Sequence, residues 1–434
     1  MNKPPHRRRD ERGQERRPAA DPPGVPARRA ALKLLDAVLR RGLALEQALG
    51  SAAEGLAPND RGLAHAIAAE ALRRLPDLDA LIDSATQRAL PEDAKARFAL
   101  RIALVQALAL GTPGHAAIAT VLPLVDGGPR KLVHGVFGTL VRQGATLPEP
   151  PTLPDAVALR WHAAWGDQMI EDAERAIAVP PPLDLTLRDP ERVPDLPGTS
   201  LLPGHLRLDE RGAVPMLDGY AEGDWWVQDL AASLPARLIG TGAGTALDLC
   251  AAPGGKTLQL AAAGWQVTAV DVSESRLARL HENLERTGLA AKVVAADLLR
   301  WQPEAPADAV LLDAPCSATG IFRRHPDVLH RVRPRLIAEM AELQGRLLHR
   351  AAAWVKPGGT LVFSTCSLEP EEGEAQLERF LAAHEDYALV APTKEELPEG
   401  IAPRSDGSLR LLPGALADKG GMDGFFIARM RRQG

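Results

Sequence analysis

Ten residues near the middle of the chain constrain its fold more than any other stretch: Asp248-Leu249-Cys250-Ala251-Ala252-Pro253-Gly254-Gly255-Lys256-Thr257. Thr245-Ala246-Leu247 before them reads as a strand, and Leu258-Gln259-Leu260-Ala261 after them reads as a helix. Strand, paired glycines, helix is the layout of a nucleotide or nucleoside site. The glycines let backbone approach a ligand closely, and the helix N-terminus offers unpaired N–H groups. The loop has neither the Gly-x-x-x-x-Gly-Lys-[Ser/Thr] spacing of a P-loop nor the Gly-x-Gly-x-x-Gly of a dinucleotide fold, so phosphate binding is the weaker reading. A Gly-Gly turn also serves as a plain strand–helix connection, and the rest of the chain has to decide.

From residue 223 onward, strand and helix patterns alternate, which predicts an α/β, Rossmann-like, mostly parallel sheet covered on both faces. Strands are expected at 245–249, 266–271, 292–297, 308–313, 359–365 and 424–430, with helices at 256–263, 274–287, 334–355 and 371–384. The first four strands end in Asp248, Asp271, Asp297 and Asp313. Ligands of open parallel sheets sit outside the carboxyl ends of the strands, so four acids should converge on one crevice. Asp271 follows Asp248 by 23 residues, the spacing at which an acid accepts from ribose hydroxyls, and Asp297 is placed to accept from an adenine amino group. A single strand-end aspartate is usually a helix cap; four in succession after a glycine loop point to a ligand. An acid-lined pocket without a phosphate cradle suits an adenosine that carries no phosphate, and S-adenosylmethionine fits that description.

Only three cysteines occur, Cys250, Cys316 and Cys366, with no paired metal spacing, so a disulfide framework is excluded, no metal is expected and a reducing cytoplasm is the natural compartment. Cys316 and Cys366 close the segments Val310–Cys316 and Leu361–Cys366, which should be neighbouring strands, so both thiols should face the same pocket. A lone cysteine is most often a small buried hydrophobe. Two at adjacent strand ends beside a methyl donor solve a specific problem. C5 of a pyrimidine is too weak a nucleophile to attack a sulfonium methyl. A thiolate added at C6 breaks the ring's aromatic character and turns C5 into an enamine-like carbon. Asp313 is a candidate to bind the N3/N4 edge of the ring and spread the charge that develops.

The front of the chain differs in kind. Residues 1–147 hold 22 Lys+Arg against 15 Asp+Glu, whereas the remainder holds 29 against 41. A basic front on an acidic body suggests a bound polyanion, although a solvated charged surface would look the same. Residues 1–27, with Arg7-Arg8-Arg9, Arg16-Arg17 and several prolines, read as a disordered basic tail. Residues 28–147 are helical throughout, with apolar faces such as Ala31, Leu34, Leu35 and Val38, and further helices at 60–75, 77–90, 92–110, 114–125 and 129–143. Pro148-Glu149-Pro150-Pro151 reads as a linker, and 150–222 as a small α/β subdomain with a helix at 155–178 and strands at 183–188 and 205–208. The helix carries Trp161 and Trp165 on one face as core residues. No apolar run reaches the roughly 18 residues of a membrane span.

In combination these segments resemble the RNA cytosine-C5 methyltransferases, and within them the bacterial 16S ribosomal-RNA methyltransferase B family. The resemblance rests on the decapeptide 248–257, on Asp313-Ala314-Pro315-Cys316-Ser317-Ala318-Thr319-Gly320 and on Ser364-Thr365-Cys366-Ser367-Leu368-Glu369-Pro370. Arg323-Arg324-His325-Pro326-Asp327, Val227-Gln228-Asp229 and Asp423-Gly424-Phe425-Phe426 also match. The helical front is similar to the NusB-type RNA-binding domain of that family, through Asn59-Asp60-Arg61 and Arg130-Lys131-Leu132-Val133-His134. The resemblance implies methylation at C5 of a cytosine of 16S rRNA, cytosine 967 in the family, by a monomer. It implies Cys366 as nucleophile, Cys316 in release, and S-adenosylmethionine held by Cys250–Lys256 with Asp271, Asp297 and Asp313. Arg323 and Arg324 are expected to contact RNA. The sequence departs from the family pattern at Leu329-His330, where Lys-Trp is common, and at Gly373, where Asn is usual.

Three other readings compete. A transfer-RNA cytosine-C5 methyltransferase would use the same catalytic half, but the NusB-like front argues against it. A non-catalytic RNA-binding factor does not need the intact loop and both thiols. Amino-directed methylation needs an Asp-Pro-Pro-Tyr type of clamp where this chain has Asp-Ala-Pro-Cys.

Overall fold

The computed structural model describes residues 21–210 and 212–434. The tail expected over 1–27 lies outside the described residues up to position 20, and its last part is helical: α1 (Val25–Leu39) starts at Val25 with Pro26 in its first turn. Six more helices follow, α2 (Leu45–Ala52), α3 (Pro58–Arg73), α4 (Leu75–Ser84), α5 (Lys95–Leu108), α6 (Gly114–Val121) and α7 (Gly127–Arg142). Their apolar faces close on Leu34, Leu35, Ile67, Leu72, Ile102 and Val121, all at 0% exposure. The short helix α2 lies in a stretch where the sequence reading placed none.

The region read as one helix over 155–178 is two, α8 (Asp155–Trp165) and α9 (Asp167–Ala178), broken at Gly166, whose φ of 81° suits glycine and little else. Next come β1 (Leu183–Leu187), β2 (Gly198–Thr199), β3 (His205–Leu208) and β4 (Trp225–Val227), an antiparallel sheet in the order β2-β3-β1-β4. Because β4 pairs with β1, this sheet runs past the boundary set at 222 and into the catalytic part.

After α10 (Leu230–Arg237), the chain alternates as expected: β5 (Thr245–Leu249), α11 (Gly255–Ala262), β6 (Gln266–Asp271), α12 (Glu274–Thr287), β7 (Lys292–Ala295) and β8 (Ala307–Asp313). Then come α13 (Val328–Arg331), α14 (Pro334–Ala353), β9 (Val355–Thr365), α15 (Glu374–Ala383), β10 (Tyr387–Leu389), β11 (Leu409–Leu411) and β12 (Phe425–Arg432). The eight-stranded sheet runs β10-β12-β9-β8-β5-β6-β7, with β11 beside β12. Strands β5 to β9 are parallel, and β12 pairs antiparallel with β9. Sequence pattern explains the covering helices. In α12, Leu277, Leu280 and Leu284 form a buried stripe, Ser273 caps the start by accepting from Arg276 N, and Gly288 ends it at a φ of 65°.

The bundle packs directly on the catalytic half. His330 Nε2 lies 2.6 Å from the Leu72 carbonyl at the end of α3, Arg73 Nη2 donates to the Arg323 carbonyl (3.2 Å), and Leu45 N to Asp327 Oδ2 (3.4 Å). His330 is thus explained as a buried interface residue. Among the described residues, no helix is long and apolar enough to cross a membrane.

Candidate active site

The site is built at the carboxyl ends of β5, β6, β8 and β9 and just beyond β7. The loop after β5 begins at Cys250 with a left-handed φ of 64° and reaches Gly254 at 111°. A side chain at 254 has no room, since its Cβ would lie 2.3 Å from Leu280 Cδ1 of α12. This close approach lets α11 start at once and directs the loop backbone toward β6. There Asp271, 1% exposed, gathers Ala252 N (3.1 Å), Ser273 N (2.8 Å) and Arg276 Nη2 (2.9 Å) on its carboxylate.

A cavity of about 380 Å³ opens between these strand ends. Cys250, Ala252, Asp271, Asp297, Asp313, Cys316 and Cys366 all line it, with apolar walls from Val272, Leu298, Leu299 and Leu343. Val272 is 70% exposed, an apolar rim that a flat ring would cover. A second cavity of about 330 Å³ lies across the loop, where Ala251, Pro253, Gly255 and Lys256 face Trp226, Gln228 and Arg286. Asp313 borders both. A larger cavity, about 590 Å³, lies between the bundle and residues 329–334 and holds none of the chemistry-bearing residues.

Of the four acids expected in one crevice, three are there. Asp248 is the exception. Its register partners are Ala269 and Leu311, each two residues before Asp271 and Asp313, so it shares their face but lies further from the strand ends, under the loop and beside the second cavity. It is 1% exposed, accepts from Thr257 Oγ1 at 2.5 Å, and burial pushes its carboxyl up to about 7. Asp297 stands two residues past β7 and turns its Oδ1 to Leu299 N (2.9 Å) at the cavity mouth.

The two thiols meet. The parallel register of β8 and β9 sets Asp313 opposite Ser364, and the chains continue to Cys316 and Cys366 with their sulfurs 3.5 Å apart. The Cys316 thiol is pushed up first by its hydrogen bond with Cys366, then by burial and by the charges of Cys366 and Glu372, so it keeps its proton. Burial, followed by the charges of Asp271, Asp313 and Asp248, also raises the Cys250 thiol, which is therefore no nucleophile. Asp313 is fixed between Lys256 Nζ (2.7 Å) and Ser364 Oγ (2.8 Å). Burial works against the Lys256 charge, but the charge and hydrogen bond of Asp313 more than offset it, so the ammonium persists.

Arg323 and Arg324, expected to contact RNA, lie beside residues 229 and 420–423. Arg323 is 3% exposed and donates Nη2 to the Gly420 carbonyl (2.8 Å). Arg324 Nη2 pairs with Asp229 (2.7 Å) and its Nε with Asp423 (3.3 Å). Arg323 is thus buried, whereas the Arg324 side chain keeps a quarter of its surface exposed. They tie together three matched segments, 227–229, 323–327 and 423–426, that are far apart in sequence. The basic stretch that does face solvent is on α7, where Arg130, Lys131 and His134 are exposed.

Sequence reasoning missed a buried polar cluster behind the thiols. Ser317, Ser367 and Glu372 are 1%, 0% and 0% exposed, and Ser317 N donates to Glu372 Oε1 at 2.8 Å. The signal was the repeated Cys-Ser pair at 316–317 and 366–367. Glu372 gave none, since Glu371-Glu372 reads as a solvated acidic turn. Gly373, the second departure from the family pattern, is explained by crowding: a Cβ there would lie 2.5 Å from Arg410 Nη2 and 2.7 Å from Phe426 Cγ.

Residues 239–431 match the family described as 16S rRNA methyltransferase RsmB/F, and residues 25–136 match the NusB family. The protein named Ribosomal RNA small subunit methyltransferase B from Xanthomonas campestris pv. campestris is 36% identical over 384 residues, covering 82% of this chain and 88% of that one. Its namesake from Erwinia tasmaniensis is 33% identical over 443 residues, covering 93% and 98%. The solved protein PH0851 shares the fold, with a TM-score of 0.71 at 24% identity over 95% of this chain and 99% of that one. Identity at this level over nearly the whole length, with both family matches in the same chain, makes this protein a methyltransferase of the ribosomal RNA small subunit methyltransferase B family.

Proposed function

We propose that this chain forms 5-methylcytosine in 16S rRNA through a covalent bond between Cys366 and C6 of the target base. The observation that carries the reading is the sulfur pair, 3.5 Å apart, on the wall of an acid-lined cavity that Asp313 shares with the space across the loop.

The cavity suits S-adenosylmethionine. Three carboxylates line it, and its one guanidinium, Arg276, is already paired with Asp271 (2.9 Å), which favours a cationic ligand without phosphate. Asp271 would hold the ribose, Asp297 the adenine edge and the loop Cys250–Lys256 the remainder. Bound there, S-adenosylmethionine supplies the electrophilic methyl group. The protein's own side chains direct the rest. Cys366 adds to C6, and the electron pair of the C5–C6 bond moves toward C5. Asp313, held by Lys256 and Ser364, faces the N3/N4 edge and stabilises the altered ring. Once C5 carries the methyl group, water takes the C5 proton, the freed electron pair re-forms the C5–C6 double bond, and the S–C6 pair leaves on the Cys366 sulfur. Cys316, which keeps its proton, donates an S–H hydrogen bond to the departing sulfur and so stabilises it as a leaving group. The target base has to leave its stack to reach the thiols.

Methyl transfer from tritium-labelled S-adenosylmethionine to unmodified 16S rRNA tests the proposal. Cys366→Ala is expected to reduce transfer to background, and transfer at the parental rate would refute the nucleophile. Bisulfite mapping of the product is expected to place the mark on one cytosine, 967 by the family resemblance.

A further inference from the structure

The chemistry above makes no use of Glu372, yet this carboxylate lies between the two cysteine-bearing loops. It sits in the turn Pro370–Glu372 after β9 with 0% exposure. Its Oε1 accepts from Ser317 N (2.8 Å) and Gln344 Nε2 (3.0 Å), and its Oε2 accepts from Ser317 Oγ and from Ser367 Oγ (2.5 Å). Ser317 directly follows Cys316 and Ser367 directly follows Cys366, and the two hydroxyls are 3.2 Å apart. Gln344, from α14, also donates to the carbonyl of Pro315, the residue before Cys316 (2.9 Å). Four donors on two oxygens are the complement of an ionised carboxylate, which only accepts. Burial alone raises the Glu372 carboxyl, and the hydrogen bonds from Ser317 and Ser367 oppose that rise.

We propose that Glu372 is the positioning residue of the thiol pair: one buried carboxylate grips the residue after each cysteine and thereby sets the separation and orientation of the two sulfurs. The inference rests on Cys366 being the nucleophile. The gripping acts through backbone. Ser317 and Ser367 each lie one peptide from a reacting side chain, and β8 and β9 fix the other ends of both segments, so neither loop can shift alone. The charge has a second effect. The charged groups that face Cys316 are Cys366 and Glu372, and both raise its thiol. Glu372 thus helps Cys316 to remain the protonated partner while Cys366 attacks.

Full-length Glu372→Gln and Glu372→Asp variants separate position from charge. Glutamine keeps the reach and removes the charge. Aspartate keeps the charge and is one methylene too short to span both serines. Three readouts are compared with the parent: methyl transfer to unmodified 16S rRNA, the KM for S-adenosylmethionine, and site-resolved alkylation of Cys316 by iodoacetamide against pH. Both variants are expected to lose about 10- to 100-fold in kcat, the scale of a misplacement near 1 Å, with cofactor KM unchanged. The alkylation midpoint of Cys316 is expected to fall in Glu372→Gln and to hold its parental value in Glu372→Asp. Parental kcat in both variants, an unmoved midpoint in Glu372→Gln, or a cofactor KM that rises in step with the loss would overturn the proposal, the last because it marks a general collapse of the cleft. Should the glutamine variant fail to fold, Ser317→Ala and Ser367→Ala carry the test. Each removes one hydroxyl from the carboxylate and is expected to lower kcat at constant cofactor KM; parental kcat in both contradicts the proposal. Cys366→Ala keeps the two claims apart. If that variant retains transfer, the nucleophile is wrong whatever Glu372 does. If it is inactive while the Glu372 variants are fully active, only the positioning role fails.

Discussion

In the bundle, the residues at 0% exposure are aliphatic, among them Leu34, Leu35, Ile67, Leu72, Ile102 and Val121, with Gln106, which accepts from Arg28 Nε (2.8 Å), as the polar exception. Behind the catalytic cleft, the residues at 0–1% exposure include Asp248, Thr257, Ser317, Thr319, Ser364, Ser367 and Glu372. The first region is held by apolar packing, which has little directionality and spreads its contribution over many contacts. The second is held by buried hydrogen bonds, each with one geometry and a high cost when broken. A shape that only has to present a surface needs the first kind of interior. Two sulfurs that have to stay 3.5 Å apart need the second.

If that contrast holds, mutations of similar chemical size should damage stability in one region and catalysis in the other. The largest effect is expected at Gly320, whose N–H donates to the Cys366 carbonyl at 2.9 Å. A Cβ there would lie 2.0 Å from the Gly424 carbonyl oxygen and 3.0 Å from that of Cys366, both backbone atoms that cannot swing aside. Gly320→Ala should therefore cost about 100-fold or more in kcat by displacing the nucleophile's loop. Methyl transfer at parental rate would break the comparison. Next is Leu35→Ala in the bundle, expected to cost about 3 kcal/mol of stability in denaturant melts while kcat per folded molecule is unchanged. A matching loss of kcat would show that bundle packing also sets the thiols.

Two smaller effects depend on pH. Burial raises Asp248 from 3.8 to about 7. The folded chain keeps this proton where the unfolded chain has lost it, so the group's contribution is full below pH 4 and drains as pH rises to 7. Asp248→Asn removes the titration, and its stability relative to the parent should improve by about 2 kcal/mol between pH 5 and pH 8 in thermal melts. A flat difference would place the ionisable burden elsewhere. His330 behaves oppositely. Burial beneath the bundle lowers it from 6.5 to about 4, so its contribution is full above pH 6.5 and drains as pH falls toward 4. On acidification from pH 7.5 to 5.5, His330→Gln should lose about 1 kcal/mol less stability than the parent. An equal loss would mean that burial does not hold the His330 ring in its neutral form where the bundle docks.

Most of the catalytic half was legible in the sequence because parallel strands buried on both faces are continuous apolar runs that end in the residues they present. Val310–Asp313 and Leu361–Thr365 gave both strands, their adjacency and hence the meeting of Cys316 with Cys366. Asp248 misled because it lies two residues short of the level of the other acids: it shares a face with Asp271 and Asp313 but is buried beneath the loop. Arg324 was hard to read for a different reason: its acid partners, Asp229 and Asp423, are about a hundred residues away on either side, and nothing local marks an arginine as already paired. Glu372 lies in an acidic run that resembles surface, and its partner Ser317 is 55 residues upstream. Local pattern conveys which face a residue occupies; it does not convey which distant residue it meets.

One measurement tests the central claim most directly. Cys316→Ala protein, incubated with unmodified 16S rRNA and S-adenosylmethionine, is expected to accumulate a covalent complex that survives a denaturing gel, and peptide mass spectrometry of the digested complex should find the nucleotide on Cys366. A complex joined through any other residue, or none at all, would contradict the account.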